Sequence, residues 1–211
     1  MESTPRNLRL WLVTCPDGFS AEYEDIEEMF RRGLSRLILD KRSRGGQPRA
    51  TDDEYERWLL SLSMEYRDRI WVRGTPDLAN RLDVRGCVTE ARSLMGEVPE
   101  CWKRVNCVAL CNSLEEYSLL PDWVSGALLG PIYQPLSALE PMKTLNPAVL
   151  ESLQEPVRIP LIAWGGVEPE TMADFKKLPL AGVATLGGIW NYADPINAFI
   201  KLQRACSSHI M

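Results

Sequence analysis

The sequence predicts a single (β/α)8 barrel of the TIM-barrel class, one α/β domain spanning residues 1–211. Three observations predict it. Short apolar runs of strand length alternate with helix-like segments along the chain, without a break. Two such runs near the C-terminus each end in a glycine pair, at Gly165-Gly166 and Gly187-Gly188. The chain has 211 residues, 45% of them hydrophobic, which suits one barrel core. A doubly wound open sheet is the alternative. That fold favours a glycine-rich loop after the first strand, and Cys15-Pro16-Asp17-Gly18-Phe19 lacks the dinucleotide pattern.

The strand candidates are residues 8–14, 34–40, 69–73, 86–89, 105–111, 123–129, 159–164 and 183–186. Ser20 can cap a first helix carrying Ile26, Met29 and Phe30 on one face, with Gly33 as its stop. Thr51 and Glu54, and again Ser113 and Glu116, have capping-box spacing. Tyr55, Trp58, Leu59 and Leu62 form a helical stripe that reads as barrel-facing packing. Pro169 and Pro195 suit first helical turns, and Asp194 can cap the last helix. Residues 130–147 are proline-rich and read as a long loop after the sixth strand, over the active face of a barrel.

A net charge of −5 recommends neither nucleic acid nor an anionic membrane as a partner. No apolar stretch approaches the ~20 residues of a membrane span. The opening Met1-Glu2-Ser3-Thr4-Pro5-Arg6 lacks an apolar signal core, so a cytoplasmic location is expected. The six cysteines contain no C-x-x-C pair and read as reduced core thiols. Cys107 and Cys111 would share one strand face, but two thiols without further ligands make a poor metal site. The one histidine, His209, lies near the C-terminus, which argues against Ser–His and Cys–His nucleophiles and histidine zinc sites.

Glycine just past a strand lets main-chain N–H groups approach an anion unobstructed. Two such ends in successive βα units match the phosphate site after strands 7 and 8 of a barrel. Tight turns alone would also explain either pair.

Residues 10–16 and 37–41, Asp77-Leu78-Ala79, Ser113-Leu114-Glu115-Glu116, Gly130-Pro131-Ile132-Tyr133, and residues 163–167 and 182–190 follow one another in a known order. In that order and spacing the chain resembles the thiamine phosphate synthase/TenI-like barrels over nearly its whole length. That family joins a thiazole phosphate to an aminopyrimidine diphosphate and releases pyrophosphate. The resemblance implies a phosphorylated small-molecule ligand whose ester rests on amides near Gly165, Gly166, Gly187 and Gly188.

The other half of the family site departs from the pattern. Of the polar residues expected after the second strand, only Lys41 remains. Arg73 and Gly74 stand where an asparagine or histidine and a magnesium-binding aspartate are expected, and Arg92-Ser93 falls near the second such aspartate. Leu110 and Asn112 replace a serine and a histidine. In the loop after the sixth strand Ala138 aligns with a lysine, Lys143 is near in sequence, and Ser137 keeps a hydroxyl. Lys41, Arg73 and Ser137 are therefore the candidate catalytic residues. A diphosphate leaving group needs its charge neutralised, and Mg2+ on carboxylates does so in the family. Gly74 offers no side-chain ligand, and Arg92 would repel the ion. Arg42, Arg44, Arg73 and Arg92 could replace the metal by forked hydrogen bonds. Alternatively they form a solvated basic loop, with Arg73 paired to a carboxylate such as Asp40. Trp164 either stacks on a ligand ring or fills vacated space.

Three readings follow. The first is a diverged member binding a thiazole- or thiamine-like phosphate, with no cofactor and with catalysis weak, altered or absent. The second is an active synthase, the one reading that brings in Mg2+. The third is a non-catalytic scaffold or sensor. A homodimer is compatible with each.

Overall fold

The computed structural model describes residues 7–16, 21–41, 51–138, 140–151, 153 and 157–207. Eight parallel strands close into a barrel in sequence order, β1 to β8, with β8 returning to β1. They are β1 Arg9–Val13, β2 Arg36–Leu39, β3 Ile70–Arg73, β4 Gly86–Glu90, β5 Asn106–Cys111, β6 Gly126–Leu129, β7 Leu161–Trp164 and β8 Gly182–Thr185. Each expected run contains its strand, trimmed by a residue or more at most ends; β4 instead runs one residue further, and β8 begins and ends one residue earlier. Helices α1 Glu22–Arg31, α2 Asp52–Leu60, α3 Pro76–Arg81, α4 Leu114–Ser118, α5 Pro147–Glu151, α6 Met172–Phe175, α7 Gly187–Trp190 and α8 Pro195–Ser207 fill the connections. After β4 the described chain makes two short 3-10 turns, Ala91–Ser93 and Trp102–Arg104, in place of an α-helix.

Local chemistry sets these boundaries. At the end of α1, Leu34 N–H donates to Met29 O at 2.8 Å and Gly33 N–H to Phe30 O at 3.0 Å. This paired closure needs the left-handed φ of +94° that Gly33 supplies. Ser20, the expected cap, lies outside the described residues. At α2, Thr51 Oγ1 accepts from Glu54 N–H while Glu54 Oε2 accepts from Thr51 N–H at 2.6 Å, a complete capping box. At α4, Ser113 Oγ accepts from Glu116 N–H, but the Glu116 carboxylate accepts from Asn112 N–H at 2.7 Å, one residue earlier than the box requires. Pro195 opens α8, and Asp194 accepts from Asn197 N–H at 2.9 Å. Pro169 does not open a helix: it lies in a turn, and α6 starts at Met172 after Thr171.

Two apolar layers result. The outer one packs strand faces such as Leu12, Leu37, Leu39 and Val72 under the helices. It takes in the whole Tyr55, Trp58, Leu59, Leu62 stripe. Each fully buried aliphatic there contributes about 1.5–3 kcal/mol. The inner layer fills the barrel. Trp11, Trp71, Val108 and Ile162 come from odd strands, and Ile38, Val88, Leu128 and Ala184 from even ones. Val13, Arg73, Leu110 and Trp164, each two residues further along an odd strand, form the tier above. Below, β4, β6 and β8 all begin with glycine. A Cβ on Gly86 would lie 2.9 Å from Trp71 Nε1, on Gly126 3.3 Å from Ile162 Cδ1, and on Gly182 3.3 Å from Trp11 Nε1. Those glycines make room for the large side chains that close the barrel floor. Arg36 lies over the Trp71 ring at 5.0 Å.

All six cysteines are free thiols, and four of them are buried. Cys87 and Cys107, partners across β4 and β5, have Sγ atoms 3.6 Å apart. Among the described residues no helix is long and apolar enough to cross a membrane.

Candidate functional site

A cavity of about 190 Å³ opens above the upper tier, at the C-terminal ends of the strands. Its lining brings together Gly165, Gly166, Gly187, Gly188, Trp164, Arg73 and Ser137, seven of the eight residues singled out in the sequence. Val13, Ile38, Val88, Leu110, Leu128 and Ala184 form an apolar floor beneath them.

The glycine rim is built by close backbone approach. The loop after β6 crosses the end of β7, where Ile132 N–H donates to Trp164 O at 2.8 Å and Tyr133 N–H to Gly165 O at 3.3 Å. Gly165 and Gly166 have φ of +94° and +62°, and a Cβ on either would lie 2.5 Å from a Cβ of that loop. At the end of β8, a Cβ on Gly188 would sit 2.1 Å from Val167 O. Thr185 Oγ1 donates to the same carbonyl at 2.9 Å, tying the β7 and β8 loops together. The sharp turns expected of these glycines are therefore present. They also leave donors over: Gly187 and Gly188 begin α7, where first-turn N–H groups have no intrahelical acceptor. Among the described residues no backbone carbonyl accepts from the N–H groups of Gly166, Gly187, Gly188 or Ser137. Ser137 N lies 3.0 Å from where a Gly187 Cβ would be, so the β6 loop brings its donor against the same rim.

The polar side chains sit across the mouth. Arg73, four strands round from β7, is buried in a tier that is otherwise apolar. Its Nη1 donates to Val88 O at 3.0 Å, and its Nη2 is ion-paired with Glu90. Asp40 lines the cavity and is also buried. Its backbone is fixed by Thr14, whose hydroxyl donates to Asp40 O at 3.0 Å and accepts from Asp40 N–H at 2.9 Å. Trp164 packs over Gly130, and its buried Nε1 has no hydrogen-bond partner among the described residues.

Lys41 departs from expectation. Its Nζ is ion-paired with Glu22 and donates to Cys15 O at 2.7 Å, 5.2 Å from the centre of the Trp58 ring. It does not line the cavity. The reason is strand alternation: Ile38 and Asp40 face inward, so the next residue faces out. Arg92 is exposed on a 3-10 turn and Lys143 on the β6 loop, and neither lines the cavity. Arg42, Arg44 and His209 lie outside the described residues. Of the lining residues that the site reading did not select, Asp40 is the charged one; Thr185 adds a hydroxyl, and the others are apolar.

Among the described residues the donor set does not fit Mg2+. Gly74 follows β3 with its N–H on Val88 O, Glu90 at the end of β4 is held by Arg73, and Asp40 is the one carboxylate of the described lining. Among the described residues no group of three or more His, Cys, Asp or Glu side chains could hold a metal ion.

Neither a protein-family model nor a curated protein sequence matches the chain. Solved structures do. The thiamine phosphate pyrophosphorylase of Bacteroides thetaiotaomicron is 22% identical with a TM-score of 0.72, the match covering 94% of this chain and 97% of that one. The thiamine phosphate pyrophosphorylase of Pyrococcus furiosus is 20% identical with a TM-score of 0.74, covering 95% and 96%. The tryptophan synthase alpha subunit of Legionella pneumophila is more distant, at 15% identity and a TM-score of 0.65, covering 95% and 93%. The chain thus shares the (β/α)8 fold of these thiamine phosphate pyrophosphorylases over 94–95% of its length.

Proposed function

We propose that this protein is a diverged thiamine phosphate synthase/TenI-like barrel that binds a phosphorylated thiazole- or thiamine-like small molecule and does not carry out the magnesium-dependent joining reaction. One observation supports the reading: both glycine pairs and Ser137 line one cavity with an apolar floor. The ester rests on main-chain donors and the ring on Leu110, Leu128 and Trp164. At about 190 Å³ the cavity is below the usual 300–1,000 Å³ of drug-sized sites, which favours the smaller, thiazole-sized ligand. The lost carboxylate ligands speak against the joining reaction.

Thermal-shift titration with thiazole phosphate, thiamine phosphate and inorganic phosphate tests this. At a hundredfold excess over Kd a ligand stabilises by about 2.7 kcal/mol, or roughly 5–11 °C in a chain of this size. Gly166→Asp should abolish the shift, since it puts a carboxylate on the anion rim. No shift with any of the three overturns the reading and leaves a scaffold. Pyrophosphate release from thiazole phosphate and aminopyrimidine diphosphate, lost with chelator, would instead establish an active synthase.

A further inference from the structure

Two thiols that the site does not use face each other beneath the β4–β5 connection. Cys87 and Cys107 are direct register partners on neighbouring strands, and their Sγ atoms lie 3.6 Å apart within the outer apolar layer. Neighbouring strands run about 4.8 Å apart, inside the roughly 4.4–6.8 Å over which disulfide α-carbons are found. Closing the sulfurs to about 2.05 Å therefore takes side-chain rotation and a small shift of two strands that are already paired. Among the described residues no other two cysteine sulfurs are in hydrogen-bond contact. The two thiols are also unequal. Cys87 S–H donates to Cys107 Sγ, and that bond together with burial pushes the Cys87 thiol up. The same bond lowers the Cys107 thiol, because a thiolate there accepts it.

The cover over this pair is thin. Residues 94–101 of the connection make no helix and are mostly exposed, and the 3-10 turn Trp102–Arg104 follows them. The backbone bonds of that turn are local, Val105 N–H to Trp102 O at 3.0 Å and Arg104 N–H to Cys101 O at 3.3 Å. The Trp102 indole is half-buried and donates to Asp77 Oδ2 at 3.1 Å in an exposed bond. A segment held by local and exposed bonds opens at lower cost than the barrel beneath it. Opening uncovers Cys107 first, since its Sγ lies 3.7 Å from Trp102 O.

We propose that Cys87 and Cys107 are a redox-active modification site: a peroxide oxidises Cys107, and Cys87 resolves it to an intramolecular disulfide across β4 and β5. The Cys107 thiolate attacks one peroxide oxygen. The O–O bond breaks, and the departing hydroxide takes up the proton that Cys107 released, leaving water and a sulfenic acid. The Cys87 sulfur then attacks the sulfenic sulfur. The S–O bond breaks, and the hydroxyl leaves with the Cys87 proton as a second water. The two thiols lose two electrons in all, and the peroxide gains them. A thiol reductant reverses the bond by exchange. Cys87 precedes Val88, which lines the cavity floor and whose carbonyl accepts from Arg73. The bridge therefore ties two strands directly beneath the site, while its formation does not depend on the phosphate reading.

Peptide mapping of the full chain decides it. Cys101→Ser removes the exposed thiol of the covering segment as a rival. The folded variant is treated with hydrogen peroxide, blocked with an alkylating reagent, digested without reductant and mapped by mass spectrometry. The expected map holds a cross-linked peptide pair joining Cys87 to Cys107, with free thiols lowered by two per chain and restored by dithiothreitol. A cyclic diketone that captures sulfenic acid should label Cys107 in Cys87→Ser about tenfold or more faster than it labels Cys87 in Cys107→Ser. Comparable labelling of the two variants would overturn the order of attack. No cross-link in the folded variant, under peroxide that oxidises Cys101 in the wild type, would overturn the dithiol. A cross-link that forms only in unfolding urea, or that joins other cysteines instead, would overturn it too. Each of these failures leaves phosphate-ester binding to its own titration. Should a serine variant at the pair not fold, the map of the Cys101→Ser chain alone still decides.

Discussion

Replacing Lys41 separates a brace from a catalytic group. The side chains of Glu22 and Lys41 are 2% and 11% exposed, so their ion pair is almost wholly out of water. Glu22 also accepts from Cys15 N–H at 2.9 Å and from Trp58 Nε1 at 3.4 Å. Lys41→Met keeps the aliphatic stem over Trp58 and removes the charge. Removing one partner of a buried pair typically costs 3–5 kcal/mol. The two remaining donors to Glu22 soften that, so the expected loss is about 2–4 kcal/mol. In a chain of this length that lowers Tm by roughly 5–15 °C. Adding Glu22→Leu should recover part of the loss, because the uncompensated carboxylate is then gone. Urea unfolding of the wild type, both single variants and the double variant closes the cycle. A Lys41→Met protein within about 0.5 kcal/mol of wild type, yet unable to bind phosphate esters, would refute the reasoning and return Lys41 to the site.

Gly188→Ala should destabilise by about 1–3 kcal/mol and weaken phosphate binding together, since its Cβ would sit 2.1 Å from Val167 O; thermal melts with and without ligand read both. Burial pushes the Cys111 and Cys206 thiols up to about 12 from an ordinary 9. In the folded state they hold their protons between those values while the unfolded chain releases them, so stability should fall as pH rises through that window. Cys206→Ala should flatten the fall, as urea midpoints at successive pH values would show. Cys101, exposed on the surface, should react with a thiol reagent at pH 8 well ahead of buried Cys87, Cys107, Cys111 and Cys206.

How much of this was legible depends on which physical signal each feature leaves. The eight strands were legible because a buried parallel strand reads as a short apolar run between turn signals, and every run held one. The glycine rim was legible for a related reason. Gly165-Gly166 and Gly187-Gly188 sit at equivalent places in two successive units, and that equivalence locates them in space. The missing helix after β4 was not legible, because Ala91–Ser93 and Trp102–Arg104 carry no periodic stripe whose absence would stand out. Lys41 was misplaced because its position after β2 locates the backbone at the rim but not the direction of the side chain. Counting by twos from Ile38 would have selected Asp40 instead. Glu22, which captures Lys41, comes from another element, so no local pattern pairs them. The glycines that open β4, β6 and β8 were a readable signal as well: one residue type at one place in alternate strands announces bulky neighbours there.

Those bulky neighbours close the barrel from beneath. The indoles of Trp11 and Trp71 pack over Gly182 and Gly86, so among the described residues side chains fill the lower end. On the proposed reading, an ester held among the glycines would leave by the mouth through which it entered, and its departure rate would set the pace at which a second is admitted.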